Sequence, residues 1–381
     1  MRIEGAWISR PETQAVCRAL ESGGYQALFV GGCVRNALLG EPVGDIDIAT
    51  DAPPESVMEL ARQAGLKPVP TGIEHGTVTV VSNGLPHEVT TFRKDVETDG
   101  RRARVAFSRE VVEDARRRDF TINALYARSD GTVIDPLGGL PDLQARTVRF
   151  IDDPEARIRE DYLRILRFFR FHAWYGHGGL EPEGLAACAA LARGLHGLSR
   201  ERVGAEMLKL LAAPDPAPAV AAMRASGVLA HVLPGGDDHL LAPLVHLEKA
   251  AGVAPEPVRR LATLGGEDVA DRFRLSKAQA RRRDTLAEQA AGAAPAAELG
   301  YRHGVETGRD ILLLRAAQEN RSMTDKDLAD LAHGAEAVFP VSARDLMPAH
   351  QGPALGRKLA ELERVWIDSR FTLGRDALLS M

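Results

Sequence analysis

A strand-to-helix junction near the N-terminus constrains this chain more than any other stretch. Residues 29–50, FVGGCVRNALLGEPVGDIDIAT, begin with an apolar strand end that meets Gly31 and Gly32 before a helical run. Two glycines at such a junction let backbone N–H groups approach a ligand closely, and a helix N-terminus favours an anion. The junction therefore predicts a phosphate-binding turn.

Two aspartates follow the junction, in the stretch GDIDI. If this stretch is a strand, alternation places Asp45 and Asp47 on one face and the isoleucines on the other. Paired carboxylates repel each other unless a cation lies between them, and hard oxygen ligands suit Mg²⁺. Alone, such a pair is typical of a solvated surface turn. Beside a phosphate-binding turn, it predicts phosphoryl or nucleotidyl transfer with two metal ions.

A third carboxylate is expected from a neighbouring strand. Residues 77–92 alternate in polarity around Ser-Asn-Gly, which predicts a hairpin. Glu88 lies on its second strand and is the candidate third ligand. The competing interpretation is an ordinary exposed strand glutamate.

Composition limits the class of protein. The chain has 381 residues, a length typical of two to four domains, and 45% hydrophobic with 27% charged residues fits a globular protein. The N-terminus lacks the sections of a signal peptide, and no apolar stretch reaches membrane-spanning length, so a cytoplasmic location is expected. Three widely spaced cysteines predict neither disulfides nor a zinc motif. A net charge of −5 excludes a uniformly basic surface but allows a local basic groove.

Strand and helix signals are distributed unevenly along the chain. They mix up to about residue 140, and beyond Leu143 strand signals almost vanish, so an α+β fold is predicted. Within the mixed part, residues 93–104 (RKDVETDGRRAR) are charged and unpatterned and predict a mobile loop. Residues 116–125 predict a basic entry into a buried helix. The run 154–172 predicts one continuous helix.

Several arginines are placed to bind phosphates. Arg35, one turn into the helix after the glycines, is expected to grip a phosphate bidentately; a surface ion pair is the alternative. Arg118 is a candidate for contacting the triphosphate of a bound nucleotide. Arg164, Arg167 and Arg170 recur every three residues and form one row on the predicted helix. Such a pattern is typical of a core helix with surface ion pairs, yet the row repels itself unless an anion or acid faces it.

The same predicted helix has the chemistry to select a base. At i and i+3, Asp161 can accept from the exocyclic amine of cytosine or adenine, while Arg164 donates to the adjacent ring nitrogen. Guanine and uracil present the reverse pattern. Each good bidentate contact discriminates by about 1–3 kcal/mol. An amino-acid template for C and A is therefore a working hypothesis.

These motifs, in this order, resemble one family. VGGCVRNALLG…GDIDIAT, HGTVTVV…HEVTTFR, EDARRRDFTINALY, DPLGGLPDLQARTVRF and REDYLRILRFFRF resemble bacterial class II tRNA nucleotidyltransferases, the CCA-adding enzymes, a family shared with bacterial poly(A) polymerases. The resemblance implies a polymerase-β-like head at 1–145, a mixed sheet with helices. An all-α remainder is implied to follow: a neck at 146–210 with the templating helix, a body at 211–275 and a tRNA-binding tail at 276–381.

The resemblance also implies functions for individual residues. Asp45 and Asp47 would bind Mg²⁺, and the nucleotide would contact Gly32, Arg35, Arg118, Asp161, Arg164, Arg167 and Arg170. The implied partners are CTP, ATP and the tRNA acceptor arm, with no membrane; oligomeric state is left open, with a monomer favoured. Asn36 departs from the aspartate usual after the arginine. A poly(A) polymerase and a non-catalytic tRNA-binding scaffold are the alternative functions.

Overall fold

The computed structural model describes residues 1–99, 102–347 and 349–381, which form two compact units. Unit 1 comprises Met1–Leu210 and Ala219–Val232, and unit 2 comprises Leu211–Pro218 and Leu233–Met381. None of the described helices is both long and apolar enough to cross a bilayer.

A seven-stranded sheet organises the N-terminal part of unit 1. Its strands are β1 (Leu28–Val30), β2 (Asp47–Thr50), β3 (Lys67–Gly72), β4 (Thr77–Ser82), β5 (Leu85–Thr91), β8 (Tyr126–Arg128) and β9 (Val133–Ile134). Their order is β3-β4-β5-β2-β1-β8-β9, and only the β2–β5 pair is parallel. The β4–β5 pair confirms the predicted hairpin. Parallel register sets Asp47 of β2 opposite Glu88 of β5.

The remaining described elements are mostly helices, as expected for an α+β chain. Up to Val232 they are α1 (Ala6–Ser9), α2 (Pro11–Ser22), α3 (Gly32–Leu39), α4 (Pro54–Gln63), α5 (Val111–Arg116), α6 (Leu140–Gln144), α7 (Pro154–Glu160), α8 (Leu163–Tyr175), α9 (Pro182–Leu191), α10 (Arg200–Leu211), α11 (Ala217–Ala225) and α12 (Val228–Val232). From Leu233 onward they are α13 (Leu241–Ala250), α14 (Pro257–Leu264), α15 (Val269–Arg272), α16 (Lys277–Ala291), α17 (Ala296–Gln318), α18 (Asp325–Glu336), α19 (Ala343–Leu346), α20 (Gly352–Asp368) and α21 (Arg375–Leu379).

The prediction of a loop at residues 93–104 was wrong. Strands β6 (Arg93–Asp99) and β7 (Arg102–Phe107) pair as an antiparallel hairpin, with Arg93 opposite Phe107. Gly100 and Arg101 of that predicted loop lie outside the described residues. Ladder hydrogen bonds are made by the backbone, so a charged segment can form a strand without the apolar alternation on which the prediction relied.

Two helix predictions also need correction. The basic run at 116–118 follows α5, and Thr121–Asn123 forms a single 3₁₀ turn where a buried helix was predicted. A short apolar run that is buried on all sides has no periodicity to identify it. The predicted helix 154–172 is broken at Asp161, whose φ of −151° and ψ of 105° are extended, so α7 ends and α8 begins around it.

An aromatic cluster packs α8 against the segment that leads into β8. Phe120 lies 4.9 Å from Phe150 and 5.2 Å from Phe171, and Phe150 stacks on Phe168 at 5.4 Å, measured between ring centroids. Burying each such side chain stabilises the fold by roughly 1.5–3 kcal/mol. Arg167 and Arg170 of α8 lie 5.3 and 4.3 Å from the Phe171 ring centroid, so the cluster also supports these two arginines.

The cysteines of unit 1 are buried free thiols. Cys33 packs at the start of α3, where its Sγ–H donates to the Val30 carbonyl at 3.3 Å. Burial raises the pKa of Cys33 to about 11 and that of Cys17 to about 12, and it raises the pKa of Cys188 further.

Unit 2 contains a buried ionic cluster. Glu248 of α13 accepts hydrogen bonds from Arg259 and Arg260 of α14, at 2.7 and 2.9 Å. Arg259 also donates to Asp310 of α17 at 2.8 Å, and Arg260 donates to the Leu211 carbonyl at 2.7 Å. These four charged side chains are at most 2% exposed. Removing one partner of such a set leaves a buried charge without compensation.

Candidate active site

The glycine turn has the geometry that the sequence predicted. Gly31 connects β1 to α3 with φ 70° and ψ −120°, a left-handed conformation that side chains disfavour. Its N–H donates to the Leu125 carbonyl at 3.2 Å, which ties the turn to the segment before β8. A Cβ added at Gly31 would lie 3.5 Å from Arg118 Nη1. The turn and Arg118 are therefore close neighbours.

The two aspartates are close in sequence but do not share a strand face. Asp47 is the first residue of β2, whereas Asp45 lies in a bend before the strand. The predicted alternation was therefore wrong for Asp45, because the strand begins two residues later than the sequence pattern suggested. Both aspartates nevertheless border one cleft of unit 1.

The electrostatics around Asp47 favour a cation. Burial, which is the largest cause, and the negative charges of Glu88 and Asp45 together raise the pKa of Asp47 to about 6, against the opposing positive charge of Arg118. A carboxyl with this environment is stabilised in its ionised form by a positive ion, and carboxylate oxygens suit a hard divalent metal. Within residues 1–99, 102–347 and 349–381, no group of three or more His, Cys, Asp or Glu is arranged to hold a metal. Asp45 and Asp47 fit a divalent cation, but Glu88 does not complete a ready-made set.

The cleft has a volume of about 820 Å³ and is strongly basic. Nine basic and four acidic side chains line it, together with the glycine turn: Arg35, Arg93, Arg117, Arg118, Arg164, Arg167, Arg170, Arg202 and Lys209, and Asp45, Asp47, Asp119 and Asp161. The excess of positive charge attracts a polyanion, although the whole chain is acidic. The local basic groove that the composition left open is present here.

Each arginine of the α8 row has an acidic partner. Arg164 contacts Glu160, Arg167 contacts Asp119 and Arg170 contacts Glu206, each at 2.5 Å between nitrogen and oxygen. Ion pairs are therefore present, but they are not surface pairs as expected, because the Asp119 and Glu206 side chains are only 8% and 6% exposed. The row also borders the cleft, so the acids relieve its self-repulsion without removing it from the site.

Asp119 orients an arginine. Its Oδ2 accepts from Arg167 Nε at 2.7 Å, and its Oδ1 accepts from the Asn123 side chain and from its neighbour's backbone N–H, both at 2.9 Å. Burial by itself would raise the pKa of Asp119, but Arg167 and the hydrogen bond from Asn123 hold it below the usual value. The carboxylate therefore stays charged and fixes Arg167.

Arg35 does not present an open fork to a phosphate. Its Nη1 donates to Asn123 Oδ1 at 2.5 Å, and its Nη2 donates to the Tyr175 hydroxyl at 2.8 Å and to Asn36 Oδ1 at 2.9 Å. The guanidinium also lies 3.8 Å from the Tyr175 ring centroid. Burial lowers the pKa of Arg35, which is 6% exposed. The surface ion pair was wrong, because Arg35 is buried and these partners are neutral. The bidentate contact with a phosphate stays a prediction, and Arg35 does border the cleft.

Arg118 is fixed by a buried carboxylate that the sequence analysis missed. Asp114 Oδ2 lies 3.0 Å from Arg118 Nη2 and accepts from the Tyr126 hydroxyl at 2.7 Å, while its Oδ1 accepts from Arg117 at 2.8 Å. Burial raises the pKa of Asp114, yet Arg118 and Arg117 outweigh that effect and lower it overall. The i, i+3 and i, i+4 spacing of these residues was the available signal.

Asp161, predicted to select the base together with Arg164, lies at the break between α7 and α8, and Arg164 lies in the first turn of α8. Asp161 Oδ1 accepts from the Leu163 N–H at 3.1 Å, and its Oδ2 accepts from Arg202 at 2.6 Å. Arg164 donates to Glu160 at 2.5 Å and to the Arg117 carbonyl at 3.1 Å. The two side chains border the same cleft, but separate partners orient them.

Helix α10 contributes residues that the sequence analysis did not single out. Arg202 orients Asp161, Glu206 pairs with Arg170, and the Lys209 side chain borders the cleft. Their spacing of four and three residues places them on one helix face. That spacing was visible in the sequence, but the partners it would meet were not.

Comparisons with known proteins agree with this architecture. A family model described as the poly A polymerase head domain matches residues 27–149, and one described as a probable RNA and SrmB-binding site of polymerase A matches residues 179–240. The CCA-adding enzyme of Levilactobacillus brevis is 45% identical over 203 residues, which cover 53% of this chain. The chain spans only 50% of that enzyme's length.

Two further matches extend over nearly the whole chain. The mitochondrial CCA tRNA nucleotidyltransferase 1 of Danio rerio is 33% identical over 378 residues, covering 93% of this chain and 86% of that protein. The crystal structure of the Bacillus stearothermophilus CCA-adding enzyme in complex with CTP superposes with a TM-score of 0.75 at 29% identity, covering 94% of each chain. Together with the head-domain match, they show that this chain belongs to the family of CCA tRNA nucleotidyltransferases and poly(A) polymerases.

Proposed function

We propose that this protein adds C, C and A to the 3′ end of tRNA from CTP and ATP, without a nucleic-acid template. One observation carries the proposal: a single basic cleft brings together the glycine turn, the aspartate pair and the base-selecting pair Asp161 and Arg164. The family membership and the names of the relatives from Danio rerio and Bacillus stearothermophilus support the same reaction and substrates.

Asp45 and Asp47 would hold the divalent metal, for which we propose Mg²⁺. Bound there, it would lower the pKa of the RNA 3′-hydroxyl and neutralise charge on the departing pyrophosphate. Glu88 would act on this site through its charge beside Asp47. The turn at Gly31 and Gly32 would bind the phosphates through the backbone N–H groups at the start of α3, beginning with Gly32, because the Gly31 N–H donates to the Leu125 carbonyl.

The arginines divide the binding of the nucleotide between them. Arg118 and Arg167 are fixed by Asp114 and Asp119, so their charges face the triphosphate without a large loss of side-chain entropy on binding. Arg170 adds to the same positive surface. Arg35, enclosed by aromatic and amide groups, supports the wall of the nucleotide site rather than gripping a phosphate directly.

Asp161 and Arg164 would select the base. Arg202 and the Leu163 N–H leave acceptor capacity on the Asp161 carboxylate for an exocyclic amine. Arg164 has five N–H donors and keeps some beyond those used by Glu160 and by the Arg157 and Arg117 carbonyls. The bases of CTP and ATP can hydrogen-bond to both side chains. The bases of UTP and GTP would instead place an acceptor against Asp161 and a donor against Arg164. Such mismatches leave desolvated polar groups unpaired.

The domain assignment is part of the same proposal. We assign the head to 1–145, the neck to 146–210, the body to 211–275 and the tRNA-binding tail to 276–381, with a monomer acting in the cytoplasm. The head-domain match at 27–149 supports the first boundary. The match at 179–240 supports RNA contact by the neck and body as well.

A second candidate function is poly(A) addition, which the description of the head-domain model favours. Adenine satisfies the same pair of side chains as cytosine, so this site alone does not separate the two reactions. Substrate requirement separates them. A CCA-adding enzyme stops after three nucleotides on tRNA, whereas a poly(A) polymerase extends generic RNA from ATP alone.

The test uses the full-length protein and tRNA transcripts that lack CCA, CA or only A. Each transcript is incubated with Mg²⁺ and CTP alone, ATP alone or both, and products are resolved at single-nucleotide resolution. We expect two cytidines from CTP alone on the shortest transcript, and a single adenosine only after them. The double variant D45N/D47N should lose incorporation, and the exposed helix variant E55Q provides the matched control.

Three results would contradict the proposal. Failure to add any cytidine would exclude CCA addition. Long adenosine tails on generic RNA would establish the poly(A) function instead. Tight tRNA binding with no incorporation, unchanged in D45N/D47N, would identify a non-catalytic scaffold.

A further inference from the structure

An exposed tryptophan stands one helical turn beyond the basic cleft. Trp174 of α8 is 40% exposed, whereas Trp7 and Trp366 are 9% and 3% exposed. It follows Arg170 by four residues and Arg167 by seven, spacings that place it on the same helix face as those two cleft residues. The arginine row is therefore continued by an aromatic ring.

The indole is fixed at its polar edge. Its Nε1–H donates to the Lys209 carbonyl at 2.8 Å, and the side chain of Lys209 borders the cleft. The neighbouring Tyr175 is engaged by Arg35, so it supports the cleft wall and leaves Trp174 as the exposed ring of the pair. An anchored indole loses little conformational entropy when a planar group stacks on it.

The surroundings of Trp174 match a single-stranded RNA. A groove with an excess of positive charge follows a phosphate backbone, and an aromatic ring beside it gives a base a surface on which to stack. Each helical residue advances 1.5 Å, so Trp174 lies about 6 Å along α8 from Arg170.

We propose that Trp174 stacks on a base of the RNA strand close to the 3′ end that reacts in the cleft. This inference rests on the proposed function, because it takes the cleft to hold the 3′ terminus. It adds a contact that is indifferent to base identity, since every base has a face on which an indole can stack. Trp174 thus contributes to RNA binding and not to nucleotide choice.

The kinetic test uses full-length protein and a tRNA transcript that ends in CC, so that the nucleotides before the terminus are single-stranded. W174A should raise the KM for this RNA about tenfold while the KM for ATP changes less than about twofold. W174F should restore most of the lost affinity, because a phenyl ring stacks without the indole hydrogen bond. I73A, at another exposed apolar position that lies outside both the cleft and the proposed tRNA-binding tail, serves as the control.

An RNA modification makes the test independent of how well the variants fold. Replacing the nucleotide before the terminus, or the one upstream of it, with an abasic residue should weaken binding to the wild type about tenfold at one of the two positions. The same RNA should bind W174A no more weakly than intact RNA does. An equal abasic penalty in both proteins, or an unchanged KM of W174A for RNA, would overturn the inference.

Fluorescence supplies a readout that requires no catalysis. Since the other two tryptophans are buried, RNA should quench the emission of the wild type saturably and leave W174F unchanged. Quenching with intact nucleotide addition supports the inference. Nucleotide addition without quenching refutes the stacking alone, and quenching without any addition refutes the proposed function on which the inference rests.

Discussion

Arg202 is predicted to set the accuracy of base selection without contacting the nucleotide. Its guanidinium lies 2.6 Å from Asp161 Oδ2, and the other fixed contact of that carboxylate is the Leu163 N–H at 3.1 Å. Arg202→Met keeps much of the side-chain volume and removes the charge. Asp161 would then rotate more freely, and a rotated carboxylate can accept from water or tolerate a mismatched base.

The size of the effect follows from the exposure of the pair. Hydrogen bonds to charged groups contribute about 1.5–3 kcal/mol when buried, and exposed ion pairs contribute about 0–1 kcal/mol. The two side chains are 29% and 30% exposed, so an intermediate value applies. We expect the preference for CTP over UTP to fall about tenfold, which corresponds to about 1.4 kcal/mol.

The assay compares kcat/KM for CTP and UTP on tRNA lacking CCA, for the wild type, R202M and R202K. R149M is the matched control, because Arg149 forms ion pairs with Asp142 and Glu181 in the same unit but does not border the cleft. R202K should fall between the wild type and R202M. An unchanged CTP to UTP ratio in R202M, with both rates lowered equally, would refute the argument that Arg202 acts through Asp161.

Three further predictions concern single side chains. The pKa of Asp47 is raised to about 6, so its carboxyl gains a proton as the pH falls through that value; nucleotide addition at limiting Mg²⁺ should then decrease about tenfold per pH unit, with a midpoint that moves to lower pH as Mg²⁺ is increased. Glu248→Gln leaves two buried arginines without their shared carboxylate and should lower the free energy of unfolding by about 3 kcal/mol in urea titrations, whereas the exposed E288Q should not. Asn36→Asp gives the buried Arg35 a charged acceptor and should raise thermal stability, by about 1 kcal/mol, without altering the CTP to UTP ratio.

The local features that the sequence predicted correctly depend on residues with a restricted range of conformations. Gly31 had to adopt a conformation that other residues avoid, and the turn between β4 and β5 follows from Asn83-Gly84. Both predictions used backbone preferences that act over a few residues. The local sequence pattern located the aspartate pair but placed the start of β2 two residues too early. It therefore wrongly included Asp45 in the strand.

The features that were missed depend on contacts between distant segments. The break at Asp161 leaves the 3.6-residue pattern nearly intact, so periodicity does not reveal it. Arg35 was predicted to face a phosphate, but its donors are taken by Asn123 and Tyr175, which are 88 and 140 residues away. Such pairings are decided by tertiary packing, and one sequence carries no local signal for them.

The positions of the cysteines mean that thiol reagents can label unit 1 but not unit 2. Cys17, Cys33 and Cys188 all belong to unit 1, and unit 2 contains no cysteine. Their raised pKa values and burial suppress thiolate formation at neutral pH, so alkylating reagents modify them only when unit 1 opens. Thiol alkylation therefore measures the opening of one unit in the presence of the other. A cysteine introduced on the surface could also carry a fluorophore without prior removal of the native thiols.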